Sequence, residues 1–298
     1  MPLFLLATAD AQEALTPTYH SAASEVRLVL FVTDQNGHAV EDLQQDDFAV
    51  VDDERVIRNF RSFTRSTAMI LDLVVLIDTS ASVRSQFQRE IADVMQLLSQ
   101  WPWSPEGNVS VLSFGGLDVR ILCSGDCRSS PATDRIASLQ NGGSATPLFD
   151  AIEVAAGLLA QRKQPDVWPV ILLFSDGEDT ISLLSFDHAL EQILASGAQV
   201  YAIDSNSRGT PWKGAASKGR ATLQRIADDS GGRCVPLSED AGTIFNDVIG
   251  DLHSARIVTY SEPKSGSNYH SVRILPTHNL NLQFRSRRGY YRRPGCAQ

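Results

Sequence analysis

The hydrophobic pattern changes period along the chain. Val26-Arg-Leu-Val-Leu-Phe-Val-Thr33 is apolar and β-branched, and the Asn36-Gly37 pair behind it favours a tight hairpin turn. Residues 46–54 and 56–60 alternate apolar and polar positions, as half-buried strands do, so the first part of the chain reads as a small β-rich module. From Met69 the pattern becomes denser: Ile70-Leu-Asp-Leu-Val-Val-Leu-Ile77 is nearly all apolar, as expected of a strand buried on both faces. Val83, Phe87, Ile91, Val94, Met95 and Leu98 then recur at spacings of three and four, which predicts an amphipathic helix.

The alternation repeats downstream. Strands are expected at 108–114, 119–122, 167–174 and 199–204, and helices at 147–160, with Pro147 at the first helical position, 186–195, 221–228 and 241–253. Strands separated by helices predict right-handed crossovers and an α/β fold: a doubly wound, mostly parallel sheet with helices on both faces. After Ala255 the chain returns to β character at 256–260, 270–275 and 280–284. These strands are expected to pair with the N-terminal ones, so that both chain ends build one small β module. The expected division is a leader over 1–23, an N-terminal β segment over 24–66, the α/β domain over 67–255 and a C-terminal β segment over 256–293.

Charge and composition narrow the function classes. The 298 residues carry 26 Lys plus Arg against 35 Asp plus Glu, a net charge of −9, which phosphate backbones repel. Nucleic acid is therefore not an expected partner. No apolar run approaches the roughly 18 residues of a membrane-spanning helix. Cys123, Cys127, Cys234 and Cys296 fit no zinc spacing, although the polar loop between Cys123 and Cys127 suits a disulfide. Met1-Pro-Leu-Phe-Leu-Leu-Ala-Thr-Ala-Asp-Ala is similar to the end of a secretory signal, with a disordered tail as the alternative, so an exported protein is expected.

The chemistry concentrates at predicted strand ends. Asp78-Thr-Ser80-Ala-Ser82 follows the buried strand directly, and three oxygen side chains at alternate positions of a strand-to-helix loop can turn toward one point. Such hard ligands select Mg2+, Ca2+ or Mn2+ over zinc or copper. Helix capping by Ser and Thr is the plainer alternative. Two more loops belong at the same edge: Gly142-Gly-Ser-Ala-Thr146-Pro147, before a helix, and Ser175-Asp176-Gly-Glu178-Asp179, after a buried strand. Glu178 and Asp179 either tune such a site or form a solvated loop.

With these segments the sequence resembles the von Willebrand factor type A domain. The family's metal-ion-dependent adhesion site reads D-x-S-x-S, then a Thr, then an Asp at a strand end; Asp78, Ser80, Ser82, Thr146 and Asp176 follow that pattern in order. The resemblance spans roughly residues 70–251. It implies a Rossmann-like fold and a Mg2+ ion (or Ca2+ or Mn2+) touched by the hydroxyls, with the acids acting largely through water. It also implies an open position for an acidic side chain of a protein partner. The flanking segments, from Val32 to Glu54 and at Gly289-Tyr-Tyr291, resemble bacterial proteins in which such a domain sits between β segments and which are mostly exported.

Other signals carry less. The run Arg285-Ser-Arg-Arg-Gly-Tyr-Tyr-Arg-Arg293 combines cations with aromatics, but a strand with a solvated basic end explains it. The six His are scattered without a metal spacing and read as surface or structural residues. Trp101-Pro-Trp103 is expected to cover an apolar edge. The functional expectation is a non-enzymatic, cation-dependent binding module that captures an Asp or Glu of a partner. The alternative is a Mg2+-dependent phosphohydrolase or phosphotransferase using Asp78 as nucleophile. Against it, the second residue after Asp78 is Ser80 rather than an acid, and no Lys is placed to steady a phosphate. A purely structural assembly module is a third possibility.

Overall fold

A computed structural model describes residues 25–66, 69–100, 107–164, 166–206, 215–237, 248–251, 253–263 and 267–292. The expected leader and the Trp101/Trp103 pair lie outside them, as does most of the helix expected over 241–253.

At the centre is a six-stranded sheet in the order β10-β9-β8-β5-β6-β7, built from β5 (Ile70–Asp78), β6 (Asn108–Gly115), β7 (Asp118–Ser124), β8 (Val167–Ser175), β9 (Gln199–Asp204) and β10 (Arg233–Pro236). Five strands run parallel; β7 closes one edge antiparallel to β6. The apolar density of β5 has its cause here. Leu73, Val75 and Ile77 enter one core beneath α1 (Phe87–Gln100) and α2 (Ser130–Ala137). Val74 and Leu76 enter the other, beneath α3 (Leu148–Gln161), α4 (Phe186–Ser196) and α5 (Ala215–Ser230). The chain is thus α/β, with a mostly parallel sheet and helices on both faces.

Some expectations are corrected. Pro147 precedes α3 as its cap rather than opening the helix. α2 and β10 escape the pattern because they are short, and α2 buries only Ala132 and Ile136. The last expected strand shrinks to β13 (Gln283–Arg285), because Asn279 turns the chain and accepts the N–H of Leu282 and, through its side chain, that of Asn281. Cys123 and Cys127 form a disulfide with Cα atoms 5.2 Å apart.

The remaining strands form two antiparallel four-stranded sheets. One has the order β13-β1-β11-β4, with β1 (Glu25–Thr33), β4 (Ser62–Arg65) and β11 (Arg256–Ser261); the other has the order β14-β12-β2-β3, with β2 (Phe48–Asp52), β3 (Arg55–Ile57), β12 (Tyr269–Pro276) and β14 (Gly289–Tyr291). β1 pairs with β11 from Glu25↔Ser261 to Leu30↔Arg256, and β2 pairs with β12. Leu28, Leu30, Phe48, Val50, Val258, Tyr260 and Val272 fill one core between these sheets. The arginines of the C-terminal run face internal acids: Arg285 meets Asp251, Arg288 meets Asp228 and Asp229, and Arg292 meets Glu262.

Candidate metal centre

The strand order places Asp78 and Asp176 together. Numbering outward from the middle, β5, β6 and β7 run to one side and β8, β9 and β10 to the other, so the chain reverses direction between β5 and β8. Open α/β sheets bind ligands at such a reversal, outside the carboxyl ends of the strands. Ile77 lies in register with Phe174, so Asp78 ends β5 beside Ser175 at the end of β8.

Asp78 is fully buried and both of its oxygens are engaged. Oδ1 accepts the Ser80 N–H at 2.8 Å and Oδ2 accepts the Ser175 hydroxyl at 2.7 Å. Burial pushes its carboxyl up to about 6, and the nearby Asp176 adds to the rise, against the hydrogen bonds of Ser80 and Ser175. The Ser80 and Ser82 hydroxyls are 2.9 Å apart, so two of the three predicted hydroxyls face one point. Asp176 is buried, and its Oδ1 accepts the Glu178 N–H at 3.0 Å.

Thr146 reaches this edge through the backbone. Ala81 N–H donates to Gly143 C=O at 2.7 Å and Gly142 N–H to Thr79 C=O at 3.0 Å, which clips the 142–146 loop to the Asp78–Ser82 loop. On its other side, Thr146 exchanges two hydrogen bonds with Thr180: its N–H donates to the Thr180 hydroxyl at 2.8 Å, and Thr180 N–H donates to its C=O at 3.0 Å. The Thr146 side chain is buried and bonds none of Asp78, Ser80 and Ser82. A side chain at Gly143 would put its Cβ 2.3 Å from Gly116 N, so glycine is what lets this loop pack against the turn between β6 and β7. Asp179 accepts the Ser182 hydroxyl and the Phe149 N–H, fastening its loop to the start of α3.

Two contributors were not expected from the sequence. Ser175 donates to Asp78 and accepts the Gly177 N–H at 3.0 Å, coupling the two acid-bearing loops. Glu90, on α1, is fully buried, with the Ser205 hydroxyl beside its carboxyl. Burial pushes its carboxyl up to about 8, against the hydrogen bond of Ser205 and with the charges of Asp78, Asp176 and Asp93 adding to the rise. The visible signal was an acid at position 90 within the apolar stripe Phe87, Ile91 and Val94.

The donor set fits a hard divalent cation. It is made wholly of oxygens, two of them adjacent uncharged hydroxyls. Among the described residues no Lys, Arg or His pairs with Asp78, Asp176 or Glu90, so three buried acids share one region without a counter-charge. Two features weigh against nucleophilic chemistry at Asp78: it is shut from solvent, and both oxygens are occupied.

Residues 73–178 match the family model of the von Willebrand factor type A domain, a span that contains Asp78, Ser80, Ser82, Thr146 and Asp176. No curated protein matches the chain in sequence. A von Willebrand factor type A structure from Catenulispora acidiphila is similar over 92% of this chain and 75% of its own, at 12% identity and a TM-score of 0.48. An aerotolerance-related membrane protein from Bacteroides fragilis is similar over 61% of this chain and 98% of its own, at 18% identity and a TM-score of 0.43. Proximal thread matrix protein 1 from the mussel byssus, whose structure has a zinc-occupied MIDAS motif, is similar over 67% of this chain and half of its own, at 17% identity and a TM-score of 0.49. No helix among the described residues is long and apolar enough to cross a membrane.

Proposed function

From the premise that the chain carries a von Willebrand factor type A domain, we propose that it is a cation-dependent protein-binding module. Asp78, Ser80, Ser82, Thr146 and Asp176 hold Mg2+, or Ca2+ or Mn2+, and the partner supplies an Asp or Glu side chain. The observation that carries this reading is the hydroxyl pair of Ser80 and Ser82 beside the buried, unneutralised carboxylates of Asp78 and Asp176 at the reversal of the sheet.

The chain's own groups divide the work. Ser80 N–H and the Ser175 hydroxyl fix the Asp78 carboxylate, so its field points in one direction. Ser80 and Ser82 offer uncharged oxygens. A cation held by neutral hydroxyls keeps much of its charge and supplies an electrophilic point for a carboxylate. Asp78 and Asp176 provide the surrounding negative potential that retains it. Affinity for the partner also requires contact with the surrounding loops, since one bridged carboxylate gives orientation more than strength.

The wider reading follows the same lines. Residues 67–255 are the binding domain, 24–66 and 256–293 the β module that frames it, and 1–23 a leader or signal-like tail of an exported protein. Calorimetric titration of the full chain with Mg2+ tests the site: one saturable ion is expected in the wild type and none in Asp78→Ala, with the far-ultraviolet circular dichroism of the two alike. Equal Mg2+ binding by both proteins contradicts the assignment.

A further inference from the structure

We propose that Asp52, Asp53 and His270, in the β module and apart from the sheet-edge site, form a second cation site suited to zinc. Asp52 ends β2, Asp53 sits in the turn to β3 with φ 44°, and His270 lies near the start of β12. His270 Nδ1 is 3.0 Å from Asp52 Oδ1 and 3.1 Å from Asp53 Oδ2, and the three ligand atoms lie within 4.8 Å of one another. Zinc ligands at about 2.1 Å from a shared ion are spaced about 3.0–3.4 Å apart, and imidazole with carboxylates is a donor set zinc accepts.

The second oxygen of each carboxylate is held by a partner. Asp52 Oδ2 accepts the hydroxyls of Tyr260 at 2.7 Å and Tyr290 at 2.8 Å. Asp53 Oδ1 accepts the Ser271 N–H at 2.9 Å. The His270 ring stacks on Tyr290, with centroids 4.8 Å apart, and its Nε2 faces Glu262 at 3.6 Å. Outer partners of this kind orient the ligands of metal sites.

Proton bookkeeping points the same way. His270 is 0% exposed and its Nε2 has no hydrogen-bond partner. With the ring proton on Nδ1, the bare Nε2 lone pair faces the Glu262 carboxylate. With it on Nε2, the bare Nδ1 lone pair faces two carboxylates. A metal ion at Nδ1 with the proton on Nε2 satisfies both sides, and the other arrangement that does so is an imidazolium. Arg292 engages Glu262, and Arg287 lies over the Tyr290 ring, so the flank beyond Asp52 and Asp53 already has its cations. The Asp53 side chain is 24% exposed, so the group lies just beneath the surface of the β module.

Such a site would staple together β2 and β12, which come from opposite ends of the chain. Titration of the full-length Asp78→Ala protein with Zn2+, followed by calorimetry and thermal melts, tests it without the sheet-edge site. One equivalent is expected, with a rise in Tm, and binding at least tenfold weaker with no such rise when Asp53→Asn is added. Asparagine keeps the Ser271 contact, so this variant folds. Zinc affinity unchanged by Asp53→Asn, or no bound zinc at all, overturns the proposal. Because Asp78 is already replaced, neither outcome bears on the Mg2+ site.

Discussion

Glu90 sets burial against charge more sharply than any other side chain near the sheet edge. Its carboxyl lies at about 8 against an ordinary 4.5, so in the metal-free chain the folded state binds a proton that the unfolded state has released. The stability it contributes is full below about pH 4.5 and is lost as pH rises through about 8. Glu90→Gln is therefore expected to flatten that loss, which for wild type is on the order of a few kcal/mol. Denaturant midpoints in EDTA at pH 5 and pH 8.5 check this, and an equal drop in both proteins contradicts it. Asp78, Ser80, Ser82, Thr146 and Asp176 stood out in the sequence because their spacing follows strand ends. Glu90 and Ser175 did not, because a periodicity reading counts apolar positions and passes over a polar residue that occupies one. His270 reads as structural and is buried, but its contact with Asp52, 218 residues away, is one no local spacing reveals.

At the scale of elements, the helices and strands that pack on two faces were legible, since their apolar runs are long. The short α2 and β10 were not. The loop after β8 depends on a contact that only the folded chain shows: Gly177 adopts φ 79°, and a Cβ there would lie 2.1 Å from the Gly219 carbonyl of α5. Gly177→Ala thus meets both a left-handed backbone and a backbone clash. It is expected to cost about 1–3 kcal/mol by denaturant unfolding and to weaken Mg2+ binding, because Asp176 is the adjacent residue. A variant with wild-type stability and affinity would show that α5 yields freely.

In the whole molecule, the chain ends depend on each other. β1 lies between β13 and β11, and β2 between β12 and β3, so the core around Leu28, Phe48 and Val50 closes only when residues 256–292 return. A chain ending at Ala255 is expected to lose protection from limited proteolysis across residues 25–66. Persistent protection there would show that the N-terminal strands fold alone. The same module meets the central domain through Phe31 against Trp168 and through Arg285, which reaches Asp251. The candidate binding edge is thus carried on a sheet braced from outside, and its proposed function rests on one ion among uncharged oxygens. The most direct test is a crystal grown with Mn2+ and examined by anomalous scattering. A peak in contact with the Ser80 and Ser82 hydroxyls is expected; those two hydroxyls still bonded to each other, with no anomalous signal between β5 and β8, would contradict that function.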